Sequence, residues 1–237
     1  MKTKGLSHEG LKGIACIAML IDHIGATLVL QQCRKNPQLW DVYQMMRIIG
    51  RMAFPIYCFL LVEGVHHTQN VQKYGLRILF AALLSEIPFD LAVSGRIDWT
   101  STSVMVTLLL GFWMIRAMER AEEFWTLAVI LPFFLAAEYL RTDYGGNGIA
   151  ILAMLELTRG LNREKLARVL GSVLVLWFGG TVSVGPFRVP IELFGLVYLI
   201  PVFCYRGRKV SHNPWVQWTF YLFYPVHLMI LYLLMQL

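Results

Sequence analysis

The chain has 237 residues, of which 57% are hydrophobic and 15% are charged. A soluble domain carries about 25% charged residues, so this composition excludes an ordinary soluble protein and favours a membrane protein. The formal net charge is +6 at pH 7. Basic loops at a membrane surface account for such an excess, and nucleic acid is not expected as a partner.

The apolar stretches predict the fold class. A transmembrane helix needs roughly 20 largely apolar residues. We predict an all-α, polytopic transmembrane helical bundle of about nine spans, with eight or ten as alternatives. The predicted spans are residues 11–30, 44–65, 76–94, 103–118, 124–140, 147–158, 167–182, 190–205 and 217–236.

The distribution of lysine and arginine predicts the orientation. With the N-terminus inside, the inner segments hold twice as many of these residues as the outer segments, as the positive-inside rule requires. The first apolar stretch has no small-residue cleavage site and is expected to be a retained span. Loops are short and no internal repeat is found, so we predict a single domain over residues 1–237.

Metal and disulfide sites are not expected. The four cysteines are scattered without a CxxC pair. His66 and His67 follow Glu63 by about one turn, but no third histidine or cysteine is near in the sequence.

Ionisable residues lie inside the first predicted span. Each costs roughly 2.5–3.5 kcal/mol at the bilayer centre, which indicates a function or a partner. Asp22 and His23 are adjacent, so they lie about 100° apart around the helix and do not share a face. Another span must therefore orient His23. Structural packing of both residues is the alternative.

Two further spans carry charged pairs at one-turn spacing. These are Arg47 with Arg51 and Glu86 with Asp90, expected in the outer halves of neighbouring antiparallel helices. The pairs can form ion bridges, which would lower their desolvation cost. Alternatively, one arginine is left to hold an anionic group.

The last predicted span carries a second intramembrane histidine. Tyr224 and His227 are spaced i, i+3 and share a face near mid-membrane. Two histidines at similar depth, together with acidic residues and arginines, indicate a polar cavity.

In combination, these residues resemble the TraX family, whose characterised members acetylate the N-terminus of conjugative pilin subunits. The resemblance extends from about residue 11 to residue 235. The matching blocks are Leu11-Lys12, Asp22-His23, Arg47-x-x-Gly50-Arg51-x-x-Phe54-Pro55-x-x-x-Phe59-x-x-Val62-Glu63-Gly64, Thr68-x-Asn70, Tyr74-x-x-Arg77, Ser85-Glu86-Ile87-Pro88-Phe89-Asp90, Asp143-Tyr144-Gly145 and Phe220-Tyr221-x-Phe223-Tyr224-Pro225-x-His227.

The resemblance implies a multi-pass acetyltransferase of the bacterial cytoplasmic membrane, surrounded by lipid. Acetyl-CoA would be the donor, and a protein N-terminus, such as that of a pilin-type protein, or a small molecule would be the acceptor. His23 would be the general base, Asp22 a supporting carboxylate, and His227 a further catalytic residue of the same site. The residues assigned to substrate or cofactor binding are Arg47, Arg51, Glu63, Tyr74, Arg77, Glu86, Asp90, Asp143, Tyr144 and Tyr224.

The implied chemistry suits these residue types. The acceptor amine or hydroxyl loses a proton as it attacks a thioester, and histidine, with an ordinary pKa of about 6.5, accepts protons near neutral pH. Arg51 or Tyr224 could stabilise the developing oxyanion. Two other functions fit buried charges in a membrane: a proton-coupled transporter and a scaffold within a conjugation or pilus complex.

Overall fold

A computed structural model describes residues 5–159, 181–184, 187–207 and 214–237. Within these residues the chain is mostly helical, which confirms the predicted all-α class. The α-helices are α1 (His8–Ile24), α2 (Leu30–Cys33), α3 (Trp40–Gly50), α4 (Ala53–His67), α5 (Val71–Ser94), α6 (Val104–Met118), α7 (Thr126–Tyr139), α8 (Gly145–Leu157), α9 (Leu199–Cys204) and α10 (Pro214–Met235). A π-helical turn, Gly25–Val29, joins α1 to α2, and 3-10 segments cover Pro37–Leu39, Glu123–Trp125 and Ile191–Tyr198.

Three helical stretches of the described chain are long and apolar enough to cross a membrane: His8–Cys33, Pro37–His67 and Gln217–Met235. Shorter apolar helices are Val104–Met118, Thr126–Tyr139, Gly145–Leu157 and Leu193–Cys204. Helix α5 has 24 residues but is more highly charged than these three stretches. The chain is therefore a helical membrane protein, and its span count and orientation stay predictions.

A β-hairpin lies between the predicted spans 167–182 and 190–205 and overlaps them only at Thr181, Val182 and Pro190. Strands β1 (Thr181–Val184) and β2 (Phe187–Pro190) pair antiparallel, with Thr181 opposite Pro190. Residues 190–205, predicted as a span, contain a 3-10 segment and the six-residue α9. Together these cover the shorter apolar helix Leu193–Cys204. Residues 167–180 of another predicted span lie outside the described residues.

The bundle buries its apolar side chains between helices and exposes others on its outer surface. Helix α1 packs on α3, α4 and α10, while α5 packs on α6 and α10, and α6, α7 and α8 pack together. Leu11 and Ile56 are fully buried in the core. Leu83 on α5 and Leu127 on α7 are exposed. Apolar surface of this kind fits contact with lipid.

One histidine connects three helix ends. The Nε2 atom of His66, on α4, lies 2.8 Å from Glu156 Oε2 on α8, and its Nδ1 lies 3.3 Å from Glu119 Oε1 after α6. These contacts fix the end of α4, where Glu63 and His67 are located. The described residues contain no group of three or more histidine, cysteine, aspartate or glutamate side chains that could hold a metal ion.

Candidate functional site

A cavity of about 880 Å³ runs along the bundle and is lined by residues of α1, α3, α4, α5, α6 and α10. Lys12 and His23 both line it from α1. They are eleven positions apart, which corresponds to roughly 16 Å along a helix. We call the end lined by Lys12, Glu63 and Arg77 the proximal end, and the end lined by Asp22, His23, Arg47, Arg51 and Asp143 the distal end.

One carboxylate holds two guanidinium groups at the distal end. Arg47 Nη1 donates to Asp22 Oδ2 at 2.6 Å, and Arg51 Nη2 donates to Asp22 Oδ1 at 3.1 Å. All three side chains are largely buried and also line the cavity. Two cations against one anion leave this cluster with a net positive charge, which suits an anionic group in the cavity.

Glycine allows this cluster to form between two helices. A Cβ atom at Gly50, at the end of α3, would collide with the carboxylate of Asp22. Only glycine therefore lets α1 approach α3 closely enough for Asp22 to reach both arginines. This contact gives a physical reason for glycine beside Arg51 in the motif.

The predicted pairing of Glu86 and Asp90 with the arginines was wrong. The Glu86 carboxylate accepts hydrogen bonds from the backbone N–H of Ser103, at 3.2 Å, and from its hydroxyl. Asp90 Oδ2 accepts one from the backbone N–H of Asp98, at 3.0 Å. Within the described chain, neither carboxylate lines the cavity. Asp22 already satisfies the arginines, and main-chain groups after α5 supply donors to Glu86 and Asp90.

The two intramembrane histidines are in direct contact. His227 Nδ1 lies 2.6 Å from the carbonyl oxygen of Phe223, and His227 Nε2 lies 2.7 Å from His23 Nδ1. A carbonyl oxygen only accepts, so Nδ1 of His227 carries a proton. With His227 neutral, its Nε2 accepts the proton of His23 Nδ1, and a neutral His23 has an unprotonated Nε2. His23 lines the cavity, whereas His227 contacts the His23 ring and does not line the cavity.

The chain around His23 is locally distorted. The π-helical turn Gly25–Val29 begins two residues after His23, and the Thr27 hydroxyl donates to the His23 carbonyl oxygen at 2.6 Å. Turns of this type are frequent at functional sites. Asp22 and His23 thus lie on different faces: Asp22 contacts the arginines, and His23 contacts α10.

The remaining predicted site residues line the cavity at different depths. Arg77 Nη1 donates to Gln217 Oε1 at 2.9 Å at the proximal end. The Tyr74 hydroxyl lies against Gly64, where any side chain would displace it. The whole set is Glu63, Tyr74, Arg77, Asp143, Tyr144 and Tyr224.

Sequence reasoning missed the aromatic surface at the proximal end. Lys12 Nζ lies 5.3 Å from the ring centroid of Phe220 and 6.0 Å from that of Tyr221. Both rings and Gln217 line the cavity. The sequence did contain a signal for Lys12. Lys12 and His23 are eleven positions apart, which is about three helical turns, so both lie on the same face of α1.

Asp143 and Tyr144 lie in the turn between α7 and α8. The Tyr144 ring stacks on Phe54 with centroids 3.6 Å apart. Removal from bulk solvent raises the pKa of the Asp143 carboxyl, and the positive charge of Arg51 opposes that change. The turn therefore places a second carboxylate beside the arginines.

Comparison with known proteins identifies the family. The TraX protein family matches residues 7–235. A probable fimbrial assembly protein FimC, serogroup H1, of Dichelobacter nodosus is 30% identical over 233 residues, which cover 93% of this chain and 92% of the relative. An uncharacterized protein of Rickettsia prowazekii (strain Madrid E) is 31% identical over 101 residues, or 43% of this chain and 33% of its own length. No solved structure matches the chain. Because the match runs almost from end to end, the chain belongs to the TraX family.

Proposed function

We propose that this protein is a membrane acetyltransferase that moves an acetyl group from acetyl-CoA to an acceptor amine or hydroxyl. The observation that supports this most directly is the hydrogen-bonded sequence Phe223–His227–His23. It leaves the unprotonated Nε2 of a neutral His23 as a base in the cavity, beside two arginines.

The reaction uses His23 twice. The acceptor nitrogen or oxygen attacks the thioester carbonyl carbon, and His23 Nε2 takes the proton that the acceptor loses. The carbonyl oxygen becomes an oxyanion, which the positive cluster around Arg51 stabilises. The C–S bond then breaks, and the His23 imidazolium returns its proton to the thiolate. The products are the acetylated acceptor and free CoA thiol.

His227 positions the base. Its Nε2 accepts a hydrogen bond from His23 Nδ1–H and thereby holds the ring with Nε2 towards the cavity. The same contact stabilises the imidazolium that forms when His23 takes the acceptor proton. His227 is thus a positioning residue, because it contacts His23 and does not itself line the cavity.

The shape of the cavity suits a long donor. Lys12 and Arg77 supply positive charge at the proximal end for the phosphates of acetyl-CoA. The thioester must reach His23 at the distal end, roughly 16 Å further along α1. A thin, flexible pantetheine arm meets this requirement, whereas a compact acetyl donor would not contact both ends.

The acceptor is a component of a bacterial surface fibre. Family membership and the fimbrial assembly relative both support a pilin-type protein as the substrate. For the same reason we propose the bacterial cytoplasmic membrane as the location of this protein. Acetyl-CoA would enter from the cytoplasm at the proximal end.

The proposal is tested by release of CoA thiol from acetyl-CoA by the purified protein in detergent, with a peptide acceptor. We expect His23→Gln to lower turnover by about 10²–10⁴-fold. The glutamine amide still donates to His227 but supplies no base. The acetyl-CoA-induced rise in melting temperature should persist, which shows that the variant is folded and binds the donor.

The same measurements separate the two alternative functions. A transporter would release no thiol and its melting temperature would not respond to acetyl-CoA. A scaffold would support pilus assembly in cells equally well with glutamine at position 23. Either result would contradict the proposed acetyl transfer.

A further inference from the structure

We infer that Tyr57 binds the pantetheine arm of the donor at the amide group farther from the thioester, and that Cys16 positions the Tyr57 hydroxyl for this contact. This inference rests on the proposed acetyl transfer and assigns a binding site to the middle of the cavity, between its proximal and distal ends. It makes the cavity selective for thioesters that carry a full pantetheine arm over short thioesters.

Tyr57 brings a polar group to an apolar part of the cavity wall. It lies on α4 and lines the cavity together with Leu60 and Leu61, which follow it by about one helical turn. Met19 on α1 also lines the cavity and belongs to the apolar cluster against which Tyr57 packs. A hydroxyl group among apolar neighbours costs free energy unless it forms hydrogen bonds. The position of Tyr57 therefore favours a hydrogen-bonding ligand at this depth.

The partner that the protein itself gives to Tyr57 is weak. Cys16 Sγ lies 3.1 Å from Tyr57 Oη, and Cys16 is buried and does not itself line the cavity. A thiol is a weak donor and a weak acceptor, whereas an amide is strong in both roles. The Tyr57 oxygen can accept from the thiol while the hydroxyl donates its own proton to an amide carbonyl oxygen in the cavity. Cys16 thus orients the hydroxyl without occupying its donor.

The contact with Cys16 gives the depth of the Tyr57 hydroxyl along the cavity. Cys16 lies on α1 between Lys12 and His23, which both line the cavity. It precedes His23 by seven positions, which is roughly 10 Å along the helix. It follows Lys12 by four positions, which is roughly 6 Å. The hydroxyl therefore lies between the base at the distal end and the positive charge at the proximal end.

The groups of an extended donor arm fall at the same depths. An extended chain advances about 3.5 Å for every three bonds. With the thioester carbonyl at His23, the carbonyl of the farther amide is about nine bonds away, or roughly 10 Å, and the nearest phosphorus is about fourteen bonds away, or roughly 16 Å. These depths match Tyr57 and Lys12. The nearer amide, at roughly 6 Å from the thioester carbonyl, does not reach Tyr57.

The test compares two donors of different length. Acetyl-pantetheine contains both amides of the arm, whereas S-acetyl-N-acetylcysteamine ends at the nearer amide. Tyr57→Phe keeps the ring and should raise KM for acetyl-pantetheine about fivefold, the effect of losing one neutral hydrogen bond, with kcat unchanged. KM for the short donor should not change. The matched control is Tyr139→Phe, which removes an exposed hydroxyl outside the cavity.

A modified donor isolates the contact without relying on a variant. In this donor a trans-alkene replaces the farther amide of acetyl-pantetheine, which keeps the length of the arm and removes its hydrogen bonds. With the unmodified protein its KM should be about fivefold higher than that of acetyl-pantetheine. In Tyr57→Phe the same replacement should have little further effect, because the two partners are coupled. An equal effect of the alkene in both proteins, or none in the unmodified protein, would overturn the inference.

The role of Cys16 has its own readout. Cys16→Ala removes the partner of the Tyr57 hydroxyl and should raise KM for acetyl-pantetheine about twofold, with no change for the short donor. Cys16→Ser supplies a hydroxyl at the same position and should restore the original KM. A role of Cys16 in packing alone would not distinguish the two donors. Equal KM values for the alanine and serine variants would contradict the positioning role.

Binding without turnover separates this inference from the proposed function. CoA carries the arm but no acetyl group, and it should raise the melting temperature of Tyr57→Phe less than that of Tyr139→Phe. Such a difference would support the arm site even if no thiol were released from any thioester, a result that would contradict acetyl transfer. Thiol release from both donors with the same KM ratio in Tyr57→Phe as in the unmodified protein would overturn the arm site and leave acetyl transfer standing.

Discussion

Asp22 on α1 and Glu86 on α5 are both carboxylates within apolar helices, but their surroundings differ. Asp22 binds two guanidinium groups and faces the cavity. Glu86 binds the backbone N–H and hydroxyl of Ser103, the N-cap residue of α6. A carboxylate in a membrane helix therefore needs hydrogen-bond donors. The guanidinium donors of Asp22 place it at the cavity, where it can take part in the chemistry, whereas the Ser103 donors of Glu86 give that carboxylate a structural role.

The largest effect beyond His23 itself is expected at His227. In His227→Ala the His23 ring loses its hydrogen-bond acceptor and is free to turn, so turnover should fall up to about 100-fold, as small misplacements of catalytic groups do. The measurement is kcat for CoA thiol release at saturating acetyl-CoA. The donor-induced rise in melting temperature should be retained.

A conservative variant sharpens this prediction. His227→Gln can present an amide oxygen to His23 Nδ1–H and should recover part of the lost kcat. A purely structural role of His227 in packing α10 would give no such recovery of kcat at equal thermal stability. Equal kcat for the alanine and glutamine variants would contradict the positioning role.

The next largest effect concerns the ion cluster. Asp22→Asn leaves Arg47 and Arg51 without their carboxylate, and breaking a largely buried pair costs on the order of 3 kcal/mol. Both the melting temperature and turnover should therefore fall. Gly50→Ala should do the same, because its Cβ would displace the same carboxylate. Gly13→Ala is the control for added volume, since a Cβ there meets no atom within 4 Å. Unchanged stability in Asp22→Asn would show that the arginines have other partners.

Much of the distal cluster could be predicted from the sequence, because an ionisable residue in an apolar stretch is conspicuous. Five residues stand out for that reason alone: Asp22, His23, Arg47, Arg51 and His227. Because Asp22 and His23 are adjacent on α1, the sequence also predicts that these two lie on different faces of the helix. The sequence also predicted that another span orients His23 and that His227 lies at similar depth, but the direct contact between the two rings depends on how α10 packs against α1.

Other features depend on information that a single helix does not contain. Glu86 and Asp90 have the same spacing as Arg47 and Arg51, which suggested a pairing that does not form. The donors they use belong to the loop after α5, and helical periodicity says nothing about a loop. Apolar composition predicted a span over 190–205, but composition does not give the type of helix, and the first part of that stretch is 3-10 helical.

The smallest effect is expected at Glu86, and it tests the comparison most directly. Glu86→Gln removes the charge but keeps an oxygen that can accept from Ser103, so the free energy of unfolding should fall by only about 1 kcal/mol. Turnover and the KM values for donor and acceptor should not change, because Glu86 lies outside the cavity lining in the described chain. Asp22→Asn provides the contrast, since it removes a carboxylate inside the cavity. If Glu86→Gln lowered kcat at unchanged melting temperature, Glu86 would belong to the reaction. The contrast between the guanidinium donors of Asp22 and the Ser103 donors of Glu86 would then not indicate function.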